Sequence, residues 1–158
     1  MITRRELYRK LLKILKMNSS SYIEYVFRRI LFSFRSWIFD ELYYPVSLDA
    51  LLDALDYWRT EVLPGLVYTP EVMDCDDFAI QFINFIRRYL YNNYNEETNS
   101  IGIALGVIYK SNELLGGHAW NIILVNNSVY FIEPQLGEIL LNLKSSDGFK
   151  YKLLAVII

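Results

Sequence analysis

The order of patterns along the chain predicts an α+β fold, with helices first and an antiparallel sheet second. Three observations carry this. Apolar residues recur at helical spacing up to about Tyr91. From Ile101 onward they form short β-branched or alternating runs. Asn126-Asn127, a pair that tolerates positive φ, separates two such runs as a hairpin turn would. The switch happens once, so the chain reads as a single domain over residues 1–158. Residues 1–63 form its helical region, and residues 70–158 form a core that carries the candidate chemistry.

Four helices are expected. The first spans residues 2–16, where Leu7, Leu11, Leu12, Ile14 and Leu15 make an apolar stripe and Arg5, Arg9, Lys13 and Lys16 occupy other faces. Asn18-Ser19-Ser20-Ser21 breaks it and offers N-caps for the next. That second helix runs from about Tyr22 to Leu42. Its wide apolar face (Ile23, Val26, Phe27, Ile30, Phe34, Trp37, Ile38) predicts a largely buried helix with Arg28, Arg29 and Arg35 outside. Pro45 interrupts the pattern and Ser47 caps a third helix, whose stripe is Leu48, Leu51, Leu52, Leu55 and Trp58. The fourth begins near Asp74 and runs to about Tyr91 on Phe78, Phe82, Phe85, Ile86 and Tyr89. Four to five strands follow: Ile101–Tyr109, His118–Val125, Ser128–Gln135, a short one within Gly137–Leu143, and Tyr151–Ile158.

Composition narrows the function. The 158 residues are 53% apolar, which supports a substantial core and argues against disorder. One cysteine cannot form an internal disulfide, so nothing points to an oxidising compartment. No charge-free apolar run of about 18 residues predicts a membrane span, and the N-terminus lacks a signal-peptide pattern. An intracellular, cytoplasmic and soluble protein is expected. The net charge of −2 hides an asymmetry. Residues 1–37 hold nine Lys/Arg against two acids, whereas residues 38–158 hold seven against sixteen.

The only cysteine, Cys75, lies at the start of the fourth helix. Unpaired N–H groups and the positive end of the helix dipole favour a nucleophilic sulfur there. The only histidine, His118, heads a strand. With a two-residue turn at Asn126-Asn127, Val125 pairs with Ser128 and Trp120 with Glu133. His118 then faces Gln135, and Glu133 is its diagonal neighbour on the same face, close enough to orient the imidazole. A longer loop would put Glu133 on the other face.

Cys75-Asp76-Asp77-Phe78-Ala79, His118-Ala119-Trp120 and Glu133-Pro134, in that order, resemble the transglutaminase-like branch of the papain-like cysteine hydrolases. The resemblance covers residues 70–140, with Glu133 where that family usually has Asp. It implies a papain-like core on which Cys75 is the nucleophile, His118 the base and then acid, and Glu133 the residue that orients His118. The implied activity is hydrolysis or acyl transfer at an amide of a peptide or protein substrate, without cofactor or metal. Gln135 and Asp76 stand as auxiliary or oxyanion groups, and Trp120 and Asn121 as substrate-binding residues.

Two other readings stand beside it. Asp74, Asp76, Asp77 and Glu133 suggest a divalent cation and nuclease chemistry, with the basic helix of residues 2–16 on nucleic-acid phosphates. Against this, adjacent acids on a helix point apart, and acids at a helix start commonly act as caps. The aromatic excess suits a non-catalytic interaction module.

Overall fold

The computed structural model describes residues 1–158. Short β1 (Ile2–Thr3) leads into α1 (Arg4–Met17), followed by α2 (Tyr22–Arg35), short β2 (Leu42–Tyr43), α3 (Leu48–Tyr57) and α4 (Cys75–Tyr94). The strands follow: β3 (Ile101–Lys110), β4 (Glu113–Val125), β5 (Ser128–Glu133), β6 (Glu138–Ile139) and β7 (Lys150–Ile157). The last five form one antiparallel sheet in the order β6-β5-β4-β3-β7, while β1 pairs with β2 apart from it. The α+β class, the four helices and the five-stranded sheet are as the sequence predicts. No helix is long and apolar enough to cross a membrane.

Alternation along β4 shows where the core sits. Trp120, Ile122 and Leu124 join Leu7, Leu11, Leu15 and Phe32, from α1 and α2, in one buried cluster. Ile123 and Val125 join Ala50, Leu51, Phe82, Ile86 and Leu90, from α3 and α4, in another. Successive strand residues point to opposite faces, so a helix pair covers each face of the sheet. A strand covered on both sides reads as a continuous apolar run, and every residue from Ala119 to Val125 is buried.

The second helix differs from expectation in length and in orientation. It stops at Arg35 because the next backbone bonds to the sheet edge. Trp37 N–H donates to Val156 O (2.8 Å), Ile158 N–H to Trp37 O (2.9 Å) and Phe39 N–H to Ile158 O (2.9 Å). These bonds shield an edge strand that would otherwise be unpaired. The expected outer residue Arg28 is instead buried, donating to Asn18 O (2.7 Å) and Leu153 O (3.0 Å). Glu24 lies 3.9 Å from it and 2.5 Å from Lys152 Nζ. Facing outward are Ile23, Phe27, Ile30 and Phe34, at 70, 66, 50 and 82% exposure. The helix has two candidate inner faces, and the one bearing Arg28 and Phe32 meets β7.

Gly106 marks a close approach within the sheet. A Cβ there would meet Lys152 O and lie 2.6 Å from the Trp120 ring. The register of β3 against β7 also shifts just before Gly106.

Candidate functional site

Three elements converge at the start of α4. Asp74 has extended backbone (φ −100°, ψ −162°) and ends the preceding loop, so Cys75 is the first helical residue. The Asp77 carboxylate reaches back to accept from Asp74 N–H at 3.2 Å. At least one of the acids around the cysteine is therefore a capping residue.

The hairpin has the two-residue turn that the sequence predicts. Val125 pairs with Ser128 and Asn121 with Ile132, and Asn126 takes φ 52°. This register brings His118 Nε2 to 2.7 Å from Glu133 Oε2. Glu133 is 1% exposed, and its Oε1 accepts from Gln135 N–H at 3.1 Å. The Pro134 carbonyl beyond it accepts from the buried Trp58 Nε1–H at 2.8 Å, which pins the turn behind the carboxylate.

Burial is the strongest single influence on His118 and works against its charge. Hydrogen bonding and charge from Cys75 and Glu133 together outweigh it and raise the pKa to about 9. A pKa raised to about 9 favours the protonated ring at neutral pH, with Cys75 and the buried Glu133 carboxylate as the groups that raise it. Cys75 itself is half-buried.

Tyr151 was not among the sequence candidates, yet it belongs to this site. Its ring lies 5.8 Å from that of His118 and 5.3 Å, edge-on, from Trp120. Burial, then the charge of Glu133, pushes its hydroxyl well above the usual tyrosine range. In sequence it is one apolar-strand residue among several, and only the pairing of β7 beside β3 brings it here.

The remaining candidates fall elsewhere. Trp120 and Asn121, expected to touch a substrate, are wholly buried. Asn121 Nδ2 donates to Ala79 O (3.0 Å) and Gly102 O (3.2 Å), which ties α4 to the sheet. Gln135 is half-buried beside Glu133. Asp76 is exposed; a hydrogen bond shared with Asp74 is the main cause that raises its pKa. Asp74, Cys75 and Asp76 place possible ligand atoms within 4.8 Å of one another. The four-carboxylate nuclease set is not assembled, because Glu133 is held by His118 and Asp77 by the cap.

Residues 12–151 match the family model described as the ricin-type beta-trefoil lectin C-terminal domain. The chain belongs to this family. No curated protein matches it significantly. Among solved structures, it is similar to one described as the PSL1a-E64 complex. That structure is 23% identical with a TM-score of 0.63, over 99% of this chain and 51% of the other. Another similar structure is Polyporus squamosus lectin bound to the human-type influenza-binding epitope Neu5Aca2-6Galb1-4GlcNAc. Here the identity is 23% and the TM-score 0.61, over 99% of this chain and 49% of the other. The chain therefore spans about half the length of the structures it matches.

Family membership overturns the transglutaminase-like and papain-like assignment. It also removes the hydrolase, thiol-protease or acyltransferase activity that the resemblance implied, and with it the peptide substrate. The motifs behind that assignment are short and cover under half the chain, whereas the lectin-family match spans nearly all of it.

Proposed function

We propose that the chain acts as a lectin-type interaction module directed at carbohydrate-bearing partners, with residues 1–158 working as one domain. The family match over residues 12–151 is the observation that supports this reading. The glycan bound by one similar structure is consistent with it. The sheet and helix layers here are not a β-trefoil, so any sugar contact made by this chain belongs to its own α+β surface. Binding of the purified chain to a glycan array tests the reading. Retention of a defined subset of glycans, displaced by the free sugar, is expected. Retention of none overturns it.

A second reading is favoured by the 2.7 Å contact between His118 and Glu133 beside Cys75. We propose that Cys75, His118 and Glu133 form a nucleophilic thiol centre within the module. A cationic imidazole beside a sulfur at a helix start is an arrangement that makes cysteines reactive. Glu133 orients the ring, with Gln135 and Asp76 as polar groups at the rim. Iodoacetamide is the probe: the sulfur forms a bond to the methylene carbon, iodide leaves, and the thiol proton passes to buffer. Labelling at pH 7 is expected to vanish in Cys75→Ala and to slow about tenfold or more in His118→Ala. Equal rates in wild type and His118→Ala would sink this reading.

A further inference from the structure

A groove of about 530 Å³ lies between the end of α3 and the outer face of α4, in the size range of small-ligand sites. Its floor is aromatic. The rings of Tyr57 and Phe85 lie 6.1 Å apart and 13° from parallel, and Tyr89 sits 5.2 Å from Tyr57. Tyr89 is fixed by its hydroxyl, which donates to Asp53 Oδ2 at 2.7 Å. Tyr57, at 46% exposure, leaves part of its ring open to a ligand.

One wall is polar. Asn84, Arg88 and Asn92 recur every fourth residue along α4, so they form one row beside the aromatic row of Phe85 and Tyr89. All three are exposed. None of the three side chains has a hydrogen-bond partner within the protein, and no carboxylate pairs with Arg88. Planar amides present paired donors and acceptors, and guanidinium presents a fork of donors.

A flat apolar floor beside a row of amide and guanidinium groups matches the two sides of a pyranose. The C–H face of the sugar covers an aromatic ring, and its hydroxyls meet the polar row. A peptide fits less well, because the groove follows a helix and offers no free strand edge to pair with a backbone. Arg88 is the only charged lining residue and is cationic, which favours neutral or acidic sugars.

We propose that the groove between Tyr57 and the Asn84–Arg88–Asn92 row is a saccharide-binding site for one or two pyranose rings. The proposal rests on the carbohydrate-directed reading above and names the surface that serves it.

Saturation-transfer NMR and calorimetry with lactose, chitobiose and a sialyllactose test it on the full chain. At least one of these sugars is expected to bind, and Tyr57→Ala is expected to weaken binding about tenfold or more. The double variant Asn84→Ala/Arg88→Ala alters only exposed side chains, so it should weaken binding similarly with an unchanged melting temperature. Binding that survives both variants would overturn the groove and leave the carbohydrate-directed reading in place. Failure of every sugar to bind, with no glycan retained on the array, would overturn both. A groove that takes peptides and no sugar also refutes the proposal.

Discussion

At His118, burial and two partners act in opposite directions, and the partners win. The raised pKa gives a pH dependence of known sign. A group that holds its proton more tightly when folded contributes stability that is fully present below its unfolded value near 6.5. That stability is lost as pH rises through about 9. The melting temperature of the wild type is expected to fall between pH 6.5 and 9, and that of His118→Ala to stay nearly flat. Thermal unfolding at several pH values in one buffer series checks this. The pairing of His118 with Glu133 was legible because a two-residue turn fixes the register, and register decides which side chains share a face. The burial of Trp120 and Asn121 was not legible. Both sit next to His118 in sequence, but whether a strand faces solvent depends on helices far away in the chain.

For the helices, starts were easier to read than faces. Ser21 Oγ accepts from Glu24 N–H and Ser47 Oγ from Ala50 N–H, as their positions ahead of apolar runs predict. The inner face of α2 was not legible because apolar residues surround Arg28 on a helix with two plausible inner sides. Arginine is rarely buried unless its donors are satisfied; the Asn18 and Leu153 carbonyls and the Ser19 hydroxyl take the Nη donors of Arg28, and only its Nε–H is left without a partner. Contact with Lys152 is the main cause that lowers the Glu24 pKa to about 2, so Glu24 stays charged beside Arg28 at any ordinary pH. Arg28→Ala would strand the Leu153 and Asn18 carbonyls and remove the cation next to Glu24. A loss of about 2–4 kcal/mol is expected, read as a lower urea midpoint at an unchanged slope. An equal loss in Arg29→Ala, on the exposed side, would contradict this account.

Across the whole molecule, the helix-then-strand order was readable, but the division of four helices between two faces was not. Nothing local in α1 or α3 says which side of a later sheet it will cover. The lectin family was not legible for a related reason: its match is spread over nearly the whole length, whereas the cysteine and histidine motifs are short and local. The anchoring of α2 on β7 also bears on how the chain acquires its structure. Hairpins β3-β4 and β4-β5 close over short loops, but the bond from Arg28 to Leu153 spans 125 residues. Contacts so distant in sequence carry a large loop-closure cost and form slowly. On a ribosome, α2 therefore waits until β7, 125 residues beyond Arg28, has been synthesised, with its aromatic side chains uncovered on both faces meanwhile. That interval is when the nascent chain is most prone to aggregate and when chaperones have most to hold.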